Sequence, residues 1–253
     1  GGWVGAKMDL CRERRVWAQD IGTAAAFFRD RNAPDNWRGE YWGKWVTAAA
    51  LAHAGCPSEG HRARIAGAVR ELMAAQEPDG YLGTYPRDKR LTVWDVWCRK
   101  YVLLGLIAAH DLLDDTAALE AARRNADNMI AEFGRRKLKV VESGTEVLQG
   151  TADSSIIEPM ALLYQRTGDA KYLDFARSVI AEWNEPFRGA PQGIRMLEKA
   201  LADLPPPANH VYAIMSCFEG ICERSRATGG RQYLDGAVRF GQSVRKYERM
   251  ING

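Results

Sequence analysis

Apolar side chains recur with the period of α-helices along most of the chain. The run from Val102 to Ala109 is apolar on every side, which predicts a helix buried inside the protein because no face of it is suited to water. Other segments carry one charged face and predict amphipathic helices. No segment of useful length alternates apolar and polar residues with a period of two, so the sequence predicts an all-α protein.

The expected helices number about ten, by the same periodicity. They fall at about 10–30, 37–54 and 59–76, then at the buried run around 102–109, then from a cap at 114–116 to about 133, and finally at about 155–167, 170–183, 194–203, 210–227 and 231–249.

An internal repeat organises these helices. Residues 164–183 and 225–244 share Thr-Gly, Tyr-Leu-Asp and the apolar spacing that follows, and residues 53–72 and 110–129 fit the same frame more weakly. The period of about 55–60 residues, with one helix pair in each unit, is typical of a helical-hairpin array. In each pair the first helix is the more apolar. We therefore predict an (α/α)6-type toroid, an inner ring of helices within an outer ring, forming a single domain over residues 1–253.

Long loops mark one face of the predicted toroid. The connections at about 77–96, 134–154 and 184–209 are long, whereas the turns within each hairpin are short, and long loops in compact domains are usually functional. Aromatic side chains beside polar ones suit a sugar, which presents apolar C–H faces rimmed by hydroxyls. The candidate substrate-binding residues are Glu40, Trp45, Asp79, Tyr81, Trp94, Trp97, Lys100, Tyr101, His210 and Tyr212. The candidate catalytic carboxylates are Asp95, Asp153 and Glu158.

Each candidate also has a purely structural interpretation. The tryptophans could be large core residues, Asp95 could cap a helix, and Lys100 could belong to a structural ion pair. A lone histidine such as His210 is often a hydrogen-bonded structural residue.

Composition narrows the possible partners. The net charge of +3 comes from 35 basic and 32 acidic residues, which are well mixed, so no basic stripe suggests nucleic acid. No apolar run approaches the length of about 18 residues that a membrane helix needs, so we expect no membrane partner. The five cysteines lack a CxxC pair, which favours buried or free thiols over a zinc site within this chain. The compartment stays open.

Six motifs occur in order along nearly the whole chain: GGWVGAKMDLC, WRGEYWGKW, QEPDGYLGTY, WDVWCRKYVLLGL, SSIIEPMALLYQRTGDAKYLDFA and YAIMSCFEG. Together they resemble glycoside hydrolase family 127, whose best-known members are β-L-arabinofuranosidases. The resemblance implies an (α/α)6 barrel followed by β-sandwich domains, and a sugar contact at His210. Trp94-Asp95 stands where those enzymes have a His-Glu pair, so the chain resembles a divergent subgroup.

The resemblance places the remaining catalytic groups elsewhere. It implies that the acid/base glutamate, the nucleophilic cysteine and the Glu/Cys zinc ligands come after Gly253, so zinc is expected in the complete protein and no cofactor within this chain. About ten helices, against the twelve that close such a ring, also predict a toroid that is incomplete at its C-terminal end. The exposed edge would carry Leu10, Val16, Trp17 and Ile21 at one end and Val238, Phe240 and Val244 at the other, and could support self-association or a partner chain.

The sequence thus predicts the sugar-facing part of a retaining glycoside hydrolase, with an oligosaccharide or glycoside as its substrate and β-L-arabinofuranosidase as the candidate activity. One alternative is another (α/α)6 carbohydrate enzyme, such as an unsaturated-glucuronyl hydrolase that uses Asp95 and Asp153. A second alternative is a non-catalytic carbohydrate-binding or interaction module.

Overall fold

Helices supply the regular secondary structure of the residues that the computed structural model describes, which are 2–32, 36–144, 150–205 and 210–248, with side chains described up to 246. Within these ranges no strand forms, and the β-type pairing is limited to one bridge between Phe187 and Ala190. The prediction of an all-α protein is confirmed. None of the described helices combines the length and apolar character that crossing a membrane requires.

The described α-helices are α1 (Gly2–Cys11), α2 (Ile21–Asp30), α3 (Glu40–Gly55), α4 (Glu59–Met73), α5 (Asp95–Leu113), α6 (Thr116–Arg136), α7 (Thr151–Ser154), α8 (Ile157–Thr167), α9 (Ala170–Glu182), α10 (Met196–Leu201), α11 (Val211–Thr228) and α12 (Arg231–Ser243). Short 3₁₀ turns lie at Arg87–Lys89 and Val140–Glu142, and π-helical turns lie at Arg12–Val16 and Val244–Glu248.

The prediction of one helix over residues 10–30 is wrong. The chain leaves the π-helical turn at Trp17 and begins α2 only at Ile21. Asp20 has an extended backbone, and its carboxylate accepts hydrogen bonds from the backbone N–H and the hydroxyl of Thr23 at 3.3 and 2.5 Å. A side chain that caps the next helix in this way favours a helix start over helix continuation.

Other helix bounds differ by less. The helix expected at 194–203 is confined to α10, because Arg195 and Asp203 on either side have positive φ angles of 49° and 56°. The last predicted helix ends earlier, at Ser243, where the π-helical turn begins. The short helix α7 was not predicted, since four residues are too few for a helical period to show.

The repeated hairpin turns are built alike. Gly168 and Gly229 end α8 and α11 with the same positive φ of 69°, a conformation that glycine adopts without strain. The threonine before each glycine donates its hydroxyl proton to a carbonyl one turn back and accepts the N–H of the residue after the glycine at 3.2 Å. The two Thr-Gly repeats in the sequence therefore form the same turn twice.

The chain forms two compact units, each described here by itself. Unit 1 contains residues 1–90 and 98–131, and in it α3 and α5 approach closely through glycines. A Cβ on Gly43 would lie 1.9 Å from the carbonyl oxygen of Tyr101, and one on Gly105 would lie 2.8 Å from the ring of Trp42. The run from Val102 to Ala109 is buried except for partial exposure of two residues, so the prediction of a buried helix is confirmed.

Unit 2 contains residues 91–97 and 132–253. Here α8 packs against both α9 and α11, and α12 packs against α10 and α11. Gly220 on α11 lets α8 come close, since a Cβ there would lie 2.8 Å from the backbone nitrogen of Glu158. Whether the two units together count as the one domain that we expected over residues 1–253 stays a prediction.

The side chains predicted for an open edge are only partly exposed. Leu10 and Val238 are about half exposed, at 51% and 50%. Trp17 and Phe240 are buried instead, each by stacking on a ring of its own unit. Trp17 stacks on His61 with ring centroids 3.8 Å apart, and Phe240 stacks on Phe218 at 3.9 Å. Val16, Ile21 and Val244 are half-buried.

Candidate carbohydrate site

An unusual backbone precedes the first residue of α5. Leu91 and Val93 have positive φ angles of 60° and 53°, a region that bulky residues avoid and that costs about 1–3 kcal/mol for each residue held there. Asp95 stabilises this turn, because its carboxylate accepts the N–H of Leu91 at 2.9 Å and its own N–H bonds to the carbonyl of Thr92 at 3.0 Å. The strained turn holds Trp94 and Trp97 at the start of the helix.

Four aromatic rings of unit 2 form a continuous group, which we call the aromatic corner. Trp94 and Trp97 meet edge to face with centroids 6.2 Å apart, and Trp97 meets Tyr212 at 5.6 Å and 77°. Tyr212 in turn meets His210 at 6.3 Å and 83°. Trp97 is buried, Trp94 is half-buried, and His210 and Tyr212 are exposed. The corner therefore has a fixed base and a surface open to solvent.

Unit 2 also contains two buried carboxyl groups. Asp95 and Asp153 are 0% and 1% exposed. Burial, and to a smaller extent the neighbouring Asp95 carboxylate, raise the pKa of Asp153, while hydrogen bonds from Ser143 and the backbone of Trp97 lower it. The net effect raises this pKa to about 7. Both groups are shielded from solvent and bond to the polypeptide beside Trp97, Asp95 through the N–H of Leu91 and Asp153 through the backbone of Trp97. Their catalytic role stays a prediction.

The long loop before α7 supports Asp153. The carboxylate of Glu182 accepts the N–H groups of Val140 and Val141 at 2.8 and 3.3 Å, and burial raises the pKa of Glu182 to about 7. That contact holds the 3₁₀ turn from which the Ser143 hydroxyl reaches Oδ2 of Asp153 at 2.6 Å. A chain of contacts thus runs from α9 through the loop to the buried carboxyl group.

Glu158 lies in the first turn of α8 and is half-buried. Its catalytic role stays a prediction.

Unit 1 brings together a second set of the predicted residues. Glu40 and Lys44 form an ion pair of 2.9 Å on α3. The ammonium groups of Lys44 and Lys100 lie 4.7 and 4.9 Å from the ring centre of Tyr101. A sugar contact at Glu40, Lys100 or Tyr101 stays a prediction. The expectation that all candidate residues lie on one face of the toroid also stays a prediction.

Trp45 has a different setting from the one expected. Its indole N–H donates to the carbonyl of Val16 at 2.8 Å, and its ring meets Trp17 edge to face at 6.3 Å. These contacts fix the turn before α2 against α3.

Asp79 and Tyr81 have clear structural roles in unit 1. The buried Tyr81 ring lies between the guanidinium groups of Arg90 and Arg99, whose central carbons are 3.7 and 4.9 Å from the ring centre. Asp79 accepts from Arg90 at 2.8 Å. Burial raises the pKa of Asp79, but the hydrogen bonds and charges of its partners lower it by more, so the net shift is downward. These contacts fix the loop from Asp79 to Arg90.

Sequence reasoning missed the partners that anchor this loop to α6. Asn125 accepts from the N–H of Leu82 at 3.2 Å and from Arg99 at 3.0 Å, and Asn128 donates to the carbonyl of Asp79 at 3.1 Å. The spacing of the two asparagines, three residues apart on one helix face, is the signal that could have indicated a shared polar role.

The candidate groups do not form a metal site of their own. Among the residues that the structure describes, no three His, Cys, Asp or Glu side chains converge as metal ligands would. Cys98 and Cys217 are buried, and the thiol of Cys217 lies 3.1 Å from the carbonyl oxygen of Thr151. The described part of the chain therefore does not fit a zinc ion, and no chemical step is derived through one.

The helix pairs joined by like turns place the chain in the class of helical-hairpin proteins. The chain belongs to the family of the β-L-arabinofuranosidase GH127 catalytic domain, whose family model matches residues 14–186. The resemblance to glycoside hydrolase family 127 is thereby confirmed.

Similar proteins agree with this family. The chain is 28% identical over 151 residues to the non-reducing end β-L-arabinofuranosidase of Bifidobacterium longum subsp. longum, an alignment that covers 54% of this chain and 22% of the relative. The structure resembles a GH127 β-L-arabinofuranosidase from Geobacillus stearothermophilus T6, with a TM-score of 0.65 and 16% identity over 95% of this chain and 42% of the other. It also resembles the GH127 β-arabinofuranosidase BT3674, with a TM-score of 0.62 and 15% identity over 93% and 38% of the two chains.

These structural similarities confirm the predicted fold class, the helical toroid of this family. The chain spans less than half of each of these relatives.

Proposed function

We propose that this chain is the sugar-binding part of a glycoside hydrolase catalytic domain that acts on β-L-arabinofuranosides. The observation that carries the proposal is the match of the GH127 family model to residues 14–186. The aromatic corner supports it, because a solvent-accessible group of rings set at steep angles suits the C–H faces of a small sugar.

The corner would bind the sugar by stacking and by hydrogen bonds from its exposed end. Trp94 and Tyr212 offer accessible ring surface above the buried ring of Trp97. The phenol of Tyr212 and the imidazole of His210 can each donate or accept a hydrogen bond, and sugar hydroxyls do both. We therefore propose Trp94, His210 and Tyr212 as the main substrate-binding residues.

The buried carboxyl groups would position the corner and would not act as acid and base. A general acid or base must come within hydrogen-bond reach of the reacting atoms, and Asp95 and Asp153 are shielded from solvent. This burial disfavours the unsaturated-glucuronyl hydrolase alternative, which needs both carboxyl groups at the substrate. We propose that the nucleophile and the general acid/base belong to sequence outside this chain, together with any zinc ion.

Ligand titration of the 253-residue chain tests the binding role. Methyl β-L-arabinofuranoside is added while its own proton NMR signals report contact with the protein. We expect saturable binding that weakens by about tenfold in Trp94→Ala and in Tyr212→Ala, the loss expected when a stacked ring is removed. Trp3→Ala is the matched control, because Trp3 is a tryptophan that is 75% exposed on α1 and does not belong to the aromatic corner.

The outcome can count against the proposal in two ways. If the parent, Trp94→Ala and Tyr212→Ala bind the sugar with equal affinity, the aromatic corner is not part of the sugar site. If the chain binds methyl β-L-arabinofuranoside and an unrelated glycoside such as methyl α-D-mannopyranoside with equal affinity, the proposed preference for arabinofuranosides is wrong.

A further inference from the structure

A cleft of about 680 Å³ lies within unit 1, and none of its lining residues belongs to the aromatic corner. One wall is α2, the other is α3, and the turn before α2 closes one end. We call it the α2–α3 cleft. Its lining residues are Cys11, Arg15, Val16, Gln19, Asp20, Ile21, Thr23, Ala24, Phe27, Arg38, Tyr41, Lys44, Trp45 and Ala48.

Small residues explain why the cleft stays open. Ala24 on α2 and Ala48 on α3 present only methyl groups to it, so the helices leave space between them. Phe27, Tyr41 and Trp45 supply aromatic surface around that space. Trp45 is held in place by its indole N–H bond to the carbonyl of Val16. The interior is therefore apolar and shaped by fixed rings.

The charges at the mouth of the cleft are mostly positive. Arg15 and Arg38 are exposed, and within the described ranges neither guanidinium forms an ion pair with a carboxylate. The central carbon of Arg38 lies 5.6 Å from the ring centre of Phe27, at the apolar wall.

The other charged groups at the mouth already have partners. Lys44 pairs with Glu40 at 2.9 Å. The carboxylate of Asp20 is engaged by the hydroxyl and backbone N–H of Thr23, which lower its pKa. Two guanidinium groups thus remain available beside an apolar space.

We propose that the α2–α3 cleft binds a small aromatic carboxylate. The volume falls within the range of about 300–1,000 Å³ that is usual for small-molecule sites. The ring of such an acid would lie among Phe27, Tyr41 and Trp45. Its carboxylate would accept hydrogen bonds from the guanidinium groups of both Arg15 and Arg38, which are charge-assisted and therefore strong. The proposal uses residues of unit 1 alone, so it does not depend on the carbohydrate function.

Isothermal titration of the 253-residue chain with 4-hydroxycinnamate tests the charge requirement. The matched ligand is 4-hydroxycinnamamide, which has the same ring and side chain without the charge. We expect the acid to bind at least about tenfold more tightly than the amide, since hydrogen bonds to charged groups contribute more than neutral ones. Equal affinity for the two ligands, or no saturable binding of the acid, would overturn the proposal.

Three variants test the location. Arg15→Gln and Arg38→Gln should each weaken binding of the acid by about tenfold and leave the amide unaffected. Arg14→Gln is the control, because Arg14 is exposed on the same turn and does not line the cleft. If Arg14→Gln loses as much affinity for the acid as Arg15→Gln and Arg38→Gln do, the acid is attracted by the general positive charge and does not bind at a defined site.

Filling the cleft gives an independent test. Ala48→Phe places a ring in the space between α2 and α3 and should abolish binding of both ligands. Ala54→Phe, also exposed on α3 but outside the cleft, should leave binding unchanged. Circular dichroism checks that both variants keep the helical fold. Unchanged affinity in a folded Ala48→Phe would place the ligand elsewhere.

Discussion

The hydroxyl of Ser143 lies 2.6 Å from Oδ2 of Asp153, and the same hydroxyl lies 2.8 Å from the carbonyl oxygen of Val140. A serine hydroxyl has a single proton, so it can donate to one of these oxygens at a time. If it donates to Val140, the second contact requires a proton on Asp153. The pKa of about 7 that burial and the Asp95 carboxylate give Asp153 makes that proton available near neutral pH.

This relationship predicts how stability depends on pH. The pKa of an aspartate in an unfolded chain is about 3.9, and the folded value here is raised to about 7. Between these values the folded state holds more protons than the unfolded state, so this group's contribution to the free energy of unfolding falls as pH rises from about 4 to 7. The contribution is at most about 4 kcal/mol.

Asp153→Asn should remove that pH dependence. The amide can donate to Ser143 at every pH, as the protonated acid does, so we expect the variant to gain stability relative to the parent as pH rises from 5 to 8. Urea unfolding at pH 5 and pH 8, followed by circular dichroism, measures the difference. Asp174→Asn is the control, because Asp174 is an exposed carboxylate on α9 and lies outside the Ser143 contact, so this variant should keep the parental pH dependence. If the free energy of unfolding of Asp153→Asn still changes with pH as that of the parent does, Asp153 is not the group responsible for the pH dependence.

Val93 provides a second prediction, which separates stability from binding. Val93→Gly should relieve a positive φ angle that costs about 1–3 kcal/mol, and the greater freedom of glycine in the unfolded chain should offset about 0.5–1 kcal/mol of that gain. We expect a variant as stable as the parent or slightly more so. Its affinity for methyl β-L-arabinofuranoside should nevertheless fall, because the neighbouring Trp94 loses a fixed backbone. Thermal melts and ligand-observed NMR measure the two effects, and a clear loss of stability would show that the turn is not strained.

The sequence predicted the helical frame well because the frame follows from local patterns. The apolar run at 102–109 and the Thr-Gly pairs that end α8 and α11 each carry their structural role in a few residues. The helix cap predicted at 114–116 lies where the sequence placed it. Asp115 is the capping residue, because its carboxylate accepts the N–H groups of Ala117 and Ala118, and Asp114 before it adopts a positive φ of 57°.

The site was harder to predict because its key features are not local. Leu91 and Val93 adopt positive φ angles although neither residue favours them, so no sequence signal announces that turn. Asp95 and Asp153 were predicted as candidate catalytic carboxylates, but the degree of their burial depends on loops far apart in the sequence. The burial of Tyr81 between two guanidinium groups depends in the same way on partners at a distance along the chain. Such tertiary environments decide whether a polar residue acts on a ligand or on the fold.

The close approach of α3 and α5 gives a third prediction. Gly43→Ala would place a methyl group 1.9 Å from the carbonyl oxygen of Tyr101. Because that oxygen belongs to the backbone of α5, it cannot move aside as the end of a flexible side chain could. We expect a loss of at least about 1–3 kcal/mol in the free energy of unfolding, the usual cost of overpacking. Gly67→Ala on α4 is the matched control, since nothing lies within 4 Å of the added carbon. That variant should be as stable as the parent or up to about 1 kcal/mol more stable. Similar unfolding curves for both variants would contradict the tight crossing.

The fourth prediction concerns turnover. If the nucleophile lies outside this chain, the purified 253-residue chain should hydrolyse 4-nitrophenyl β-L-arabinofuranoside several orders of magnitude more slowly than a complete family member, as enzymes do when a nucleophile is lost. The measurement is nitrophenol release, made with and without added zinc and with the cysteines blocked. Rapid release that survives a chelator and a thiol blocker would show that residues of this chain perform the reaction, and would favour Asp95, Asp153 and Glu158 as the catalytic groups.

The last prediction concerns self-association, which the exposed face of α1 favours. None of the residues of α1 is buried. Val4 and Met8, four residues apart and therefore neighbours on the helix surface, are 62% and 66% exposed, and Trp3 beside Val4 is 75% exposed. Leaving such side chains in water forfeits about 1.5–3 kcal/mol for each, so burial between two chains would be favourable. We expect light scattering to report a mass that rises with protein concentration, and Met8→Lys to suppress that rise. Leu51→Lys is the control, because Leu51 is 71% exposed on α3 and lies outside the α1 face. A constant monomer mass up to high concentration, in parent and variants alike, would mean that α1 has no affinity for a second copy.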